Sequence, residues 1–306
     1  MRILTIVVVA AISLEVFASS KPTGTTQAPE EILERMAVQR EMVATLSGHG
    51  RSTPGAGVRS SPKQRAATAD WLFLALESIG LQPKRHDYRL PNVNGLVDLL
   101  LPPLRGTNVY ATVVATRPRA PFIVIGAHYD SDPGSPGAGD NAAGVALVYT
   151  LGQALQARIE RPFNYLLVFF DQEEDDEIGS KAFARFLDAG DFLVHSVHVT
   201  DLPGWDEDGD GEIEIQSPTP LLEQRYLRAA ERIGVSLRVT KGGSSDNKSF
   251  LAAGYPTVGV FGDVTRHLHK PTDTYQTVDF VYLDRMTSLI LDVVSALSDE
   301  ASRNER

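Results

Sequence analysis

From residue 109 to residue 261, short apolar runs of strand length alternate with longer stretches of helical periodicity. That alternation constrains the fold more than any other feature of the chain. Residues 109–115, 122–127, 165–170, 194–200 and 257–261 read as strands. Residues 141–155, 180–187 and 221–233 read as helices, and a closing helix covers 280–297. Two further helical patterns come first, one from Glu30 through Leu46 and one from about Gln64 to Ile79, where Gly80 offers a C-cap. A chain built this way is expected to place helices on both faces of one sheet. The expected fold is a three-layer αβα sandwich with a central, mostly parallel (mixed) sheet.

The first 18 residues read as a signal peptide: Arg2, an apolar core from Ile3 to Ile12, and small residues at Ala18-Ser19-Ser20. The run is short for a membrane span and Glu15 interrupts its end, so no stable membrane association is expected after cleavage. Residues 19–29, rich in Ser, Thr, Pro and Gly, read as a flexible leader, and 30–306 as one catalytic domain. The expected location is secreted or periplasmic. The chain has no cysteine, which excludes disulfides, thiolate metal sites and a cysteine nucleophile. A net charge of −10 without a basic stripe argues against a nucleic-acid partner, and none is expected.

In sandwiches of this type, ligands bind beyond the carboxyl ends of the strands. Several metal-ligating side chains fall there. Gly126-Ala127-His128-Tyr129-Asp130 ends one strand, and Gly139-Asp140-Asn141-Ala142-Ala143-Gly144 opens the following helix. Asp171-Gln172-Glu173-Glu174 ends the next strand and Asp201 the one after. His267 and His269, two residues apart, share one side of an extended segment, and periodicity does not choose between them. His195 and His198 read as ordinary strand histidines. Imidazole nitrogen and carboxylate oxygen both suit zinc, and a two-zinc site needs about five such groups with one carboxylate shared. Asp140, in a glycine-rich loop, is the natural bridge. Asp130, two residues beyond His128, is placed to hold the imidazole from behind. Of the paired glutamates, one can bind metal while its neighbour faces the substrate as a general base.

The ordered motifs resemble the zinc aminopeptidases of the bacterial leucyl aminopeptidase type, in metallopeptidase clan MH, which also holds glutaminyl cyclases. The resemblance also rests on Gly179-Ser180, Ser245-Asp246 and His269-Lys270-Pro271-Thr272-Asp273-Thr274. It implies the zinc-peptidase (phosphorylase/hydrolase-like) fold and two zinc ions bridged by Asp140. One zinc would take His128 and Asp201, the other Glu174 and His269, with Glu173 as general base. It further implies a cis peptide at Asp140–Asn141, and peptides with a free N-terminus as substrates. Asn247 stands where the family usually has histidine, and Leu268 where some members carry a tyrosine. Two alternatives stand beside it: a single-zinc, glutaminyl cyclase-like acyltransferase, and a non-catalytic ectodomain on the same fold.

A second acidic motif follows Asp201. Asp206, Asp208 and Asp210, with Gly211 next and Glu212 beyond, resemble the start of an EF-hand calcium loop. Ser217 stands where the bidentate glutamate belongs, so the pattern fits either a calcium loop or a solvated acidic turn.

Overall fold

The structure is a computed structural model that describes residues 28–50, 57–91, 104–190, 192–242 and 245–303. The expected signal peptide, residues 1–18, lies outside the described residues, as does nearly all of the leader at 19–29. The elements in chain order begin with α1 (Pro29–Leu46), α2 (Pro62–Ser78), β1 (Lys84–Leu90), β2 (Leu104–Val113) and β3 (Phe122–His128). Then come α3 (Ala143–Gln156), β4 (Asn164–Phe170), α4 (Ile178–Ala189), β5 (Val194–Asp201), β6 (Ile213–Gln216) and α5 (Pro220–Ile233). The chain closes with β7 (Leu237–Thr240), α6 (Asn247–Ala252), β8 (Thr257–Phe261) and α7 (Phe280–Arg303). Helix α2 starts where Ser61 and Gln64 form a reciprocal capping box around Pro62.

All eight strands join one mixed sheet in the order β1-β2-β4-β3-β5-β8-β6-β7. The central ladders β4–β3, β3–β5 and β5–β8 are parallel. β1, β2 and β4 pair antiparallel, as do β6 and β8, while β7 runs parallel to β6. Alternate residues of the central strands serve two cores, as the period of two requires. Ile123, Ile125, Tyr165, Leu167 and Phe169 pack on one face with Met42 of α1, Leu147 of α3 and Leu289 of α7. Val124, Leu166, Val168 and Phe170 pack on the other with Phe183 and Leu187 of α4 and Phe250 of α6. Burial on both faces explains why these strands are apolar without alternation.

The sequence reading missed β1, β6, β7 and α6. β1 is a charged edge strand, Lys-Arg-His-Asp-Tyr-Arg-Leu, with a single buried residue, a composition that guards an open sheet edge and hides it from periodicity. β6 and β7 have four residues each, and α6 has six, too few for a period to show. The helix expected from residue 141 begins at Ala143, because Asp140 (φ −116°, ψ 85°) and Asn141 (φ −137°, ψ 43°) are non-helical. Helix α4 outruns its expected bounds at both ends and α7 reaches Arg303.

Candidate metal centre

The parallel strands end on one edge of the sheet, and that edge carries the chemistry. His128 is the last residue of β3, Asp201 the last of β5, and Glu173 and Glu174 follow β4. His269 lies between β8 and α7 in a left-handed backbone conformation (φ 56°). The structure brings five of the expected side chains together. His128 Nε2 lies 3.2 Å from Asp140 Oδ1 and 3.3 Å from Asp201 Oδ1. His269 Nε2 lies 3.3 Å from Asp140 Oδ2 and 3.1 Å from Glu174 Oε2. The two oxygens of Asp140 thus face two different imidazoles. His267 turns instead to Thr272 Oγ1 at 3.1 Å. His198 is buried away from the centre, between Ser196 Oγ (3.0 Å) and Tyr226 Oη (2.8 Å).

Asp140 is held by its backbone. Asp273, fully buried, accepts the N–H of Gly139 at 2.7 Å and that of Asp140 at 3.1 Å. The Asp140–Asn141 peptide is cis. Asn141 donates from Nδ2 to Thr200 O at 3.0 Å and accepts from Gly144 N at 2.9 Å. Gly144 has to be glycine for this approach, since a Cβ there would sit 2.1 Å from Asn141 Oδ1. Asp130 lies 3.4 Å from His128 Nδ1, but that nitrogen makes no well-directed hydrogen bond. The Asp130 carboxylate accepts instead from the N–H groups of Glu173 (3.1 Å) and Glu174 (3.3 Å). Asp130 therefore anchors the turn that carries both glutamates.

The charges press on one another. Burial pushes Glu174 up to about 8, and the Asp140 carboxylate adds to the rise. Burial raises Glu173 well above the carboxylate range, helped by Asp201, Asp246 and Asp140 and opposed by His128. Asp140 goes the other way: burial would raise it, but hydrogen bonds from His128 and His269 hold it below the usual range. Its hydrogen bond raises His269 to about 9. Burial disfavours charge on His128, yet Asp201 and Glu173 lift it well above the ordinary imidazole value. Imidazole nitrogens and carboxylate oxygens at such separations are a donor set that suits zinc, and Glu174 Oε1 is a buried acceptor with no hydrogen-bond partner among the described residues.

Three residues that sequence reasoning assigned no role complete the surroundings. Arg59 is fully buried and donates to the carbonyls of Tyr129, Leu46, Gly57, Pro136 and Gly137. Its charge faces Asp273, Asp130, Asp140 and Glu174, while burial pulls its pKa down to about 10. Asp273 cradles the bridge. Asp246 is buried with no hydrogen-bond partner for either carboxyl oxygen among the described residues, and burial pushes it up to about 8. In the acidic loop, Asp206, Asp208 and Asp210 have carboxylate oxygens within 4.8 Å of one another. Glu212 does not join them: Arg238 Nε draws its carboxylate away at 2.7 Å.

An αβα sandwich that gathers imidazoles and carboxylates at its parallel strand ends defines the class, an α/β protein with a candidate metal centre at its strand ends. The chain belongs to peptidase family M28, whose profile matches residues 108–294 and spans every residue of the centre. Aminopeptidase YwaD of Bacillus subtilis is 27% identical over 196 residues, covering 60% of this chain and 42% of that protein. The match thus spans less than half of that relative's length. A solved zinc aminopeptidase from B. subtilis superposes with a TM-score of 0.73 at 15% identity, covering 86% of this chain and 94% of that one. Porphyromonas gingivalis glutaminyl cyclase superposes with a TM-score of 0.70 at 18% identity, covering 86% and 98%. At these identities the two superpositions show a shared fold.

Proposed function

We propose that the chain is an exported zinc aminopeptidase that removes N-terminal residues from peptides at a two-zinc centre bridged by Asp140. The observation that carries this reading is the division of Asp140, one oxygen 3.2 Å from His128 and the other 3.3 Å from His269. Each imidazole has a carboxylate of its own as well, Asp201 for His128 and Glu174 for His269. The aminopeptidase named above and the zinc aminopeptidase of like fold support it.

His128, Asp201 and Asp140 would hold one zinc, and His269, Glu174 and Asp140 the other. Zinc, when bound, supplies Lewis acidity and lowers the pKa of water to about 7. Hydrolysis adds a water oxygen to the scissile carbonyl carbon, breaks the C–N bond and moves one proton to the leaving amine. Glu173 is the residue we assign to that proton: it takes it from the water and delivers it to the amine nitrogen. Its backbone is fixed by Asp130. Its half-buried carboxylate sits in the field of His128. Replacing Glu173 by Gln is expected to leave zinc content unchanged and to lower turnover of an aminoacyl anilide by about 10²–10⁴-fold; near-normal turnover refutes the assignment.

A single-zinc, cyclase-like reading has less support, because neither imidazole lacks a carboxylate of its own. We propose export on the basis of residues 1–18, and N-terminal sequencing of the mature protein tests it. Among the described residues no helix is long and apolar enough to cross a membrane. For Asp206, Asp208 and Asp210 we propose weak calcium binding without Glu212, supported by the convergence of their oxygens. A melting temperature unmoved by calcium refutes it.

A further inference from the structure

Asp132 belongs to neither ligand trio named above. It lies four residues beyond His128 on the segment that leaves β3, and it is half-buried. One of its carboxylate oxygens, one oxygen of Glu174 and one ring nitrogen of His269 lie within 4.8 Å of one another. Among the described residues, its side chain has no hydrogen-bond partner. Asp132 therefore offers a carboxylate with no donor of its own beside the side chains of Glu174 and His269, the pair assigned above to the second zinc.

The distances say what kind of cation fits. Zinc bonds to oxygen and nitrogen run about 2.0–2.2 Å, so two ligands on one tetrahedral ion stand about 3.4 Å apart, and more at wider angles. Three donor atoms within 4.8 Å need only small side-chain rotations to close on a single ion. We propose that Asp132 is a further oxygen ligand of the metal held by Glu174 and His269. The inference rests on the two-zinc reading and sharpens it. The two metal positions are chemically unequal, with the His269 position richer in carboxylate than the His128 position.

The test is a calorimetric zinc titration of the chelator-treated chain, comparing wild type with Asp132→Asn, Asp132→Ala and Glu174→Gln. Changes outside the ligand sphere already cost about 10–100-fold in metal affinity. Loss of Asp132 is therefore expected to weaken one binding step about tenfold or more and leave the other within about twofold. Glu174→Gln is expected to weaken the same step, which identifies the position. Both Asp132 variants are expected to unfold at or above the wild-type midpoint in chelator, since no hydrogen bond is lost and a carboxylate beside Glu174 is removed. Wild-type affinities at both steps in Asp132→Asn overturn the inference. A rise in KM confined to substrates with a free α-amine would then assign the carboxylate to the substrate ammonium. If the wild-type chain takes up one zinc only, the two-zinc reading fails; the Asp132 inference then stands if the variants weaken that one step and falls if they do not.

Discussion

Replacing Arg59 by Met removes a cation whose hydrogen bonds all go to backbone, and the structure lets the loss be worked out. The guanidinium donates to five carbonyls at 2.6–2.9 Å. Two of these keep another donor: Leu46 O still accepts from Gly57 N, and Gly137 O from Ala142 N. Tyr129, Gly57 and Pro136 are left with no replacement among the described residues. The bond to Tyr129 is buried and those to Gly57 and Pro136 are part-buried. At about 1–3 kcal/mol for a buried unsatisfied group and about half that for the other two, the gross loss is about 2–6 kcal/mol. Against this, Met avoids the penalty of burying the charge. A pKa pulled from 12.5 to about 10 places that penalty at about 3 kcal/mol. The net expectation is a loss of about 1 kcal/mol, or about 2–4 °C in Tm. Two of these carbonyls, Tyr129 and Pro136, lie on the segment between β3 and Asp140, so the same change loosens the bridge. Arg59 is also a buried cation whose charge acts on the carboxylates of Asp273, Asp130, Asp140 and Glu174. The loss should therefore be larger in chelator than with zinc bound. Urea unfolding of both proteins, with and without zinc, checks the two expectations. A change of less than about 0.5 kcal/mol, the range of an ordinary surface substitution, refutes the reasoning.

Two further expectations concern protons. Glu174 at about 8 and His269 at about 9 hold protons at neutral pH in the metal-free chain, and both must give them up to bind metal. Zinc uptake at pH 7 should therefore release protons, and zinc affinity should climb between pH 6 and 9; calorimetry in buffers of different ionisation enthalpy reads both, and no buffer dependence refutes the expectation. His198 is lowered from 6.5 to about 3 by burial and is kept neutral between Ser196 and Tyr226. The unfolded chain binds this proton first as pH falls. Stability is thus whole above about pH 6.5 and is lost progressively from there toward pH 3, by at most about 5 kcal/mol. His198→Gln should flatten the acid limb of the stability curve, and an unchanged limb counts against it.

What the sequence made legible follows physical lines. The run Phe122-Ile123-Val124-Ile125 announces a strand because both faces are buried, whereas β1 carries its charges on an open edge and announces nothing. Of the four side chains that gather with Asp140, His128, Glu174 and Asp201 were legible because strand ends put them in order, whereas His269 was implied by the resemblance alone. The spacing alone left His267 and His269 equal, and Thr272 accounts for the one that turns away. Arg59 was illegible, being one of two arginines in a glycine- and serine-rich stretch, with partners that are carbonyls any residue supplies. The partner of the Glu212 carboxylate, Arg238, was illegible because it arrives from β7, a strand of four residues that leaves no period to read. Asp273 lay inside a quoted motif, yet only its contacts to Gly139 and Asp140 give it a task.

The division of Asp140 between two imidazoles is the centre of the account, and anomalous diffraction at the zinc edge from crystals of the zinc-loaded chain tests it most directly. Two peaks are expected, each about 2 Å from a different carboxylate oxygen of Asp140, one beside His128 and one beside His269. A single peak, or two that leave Asp140 unshared, contradicts it.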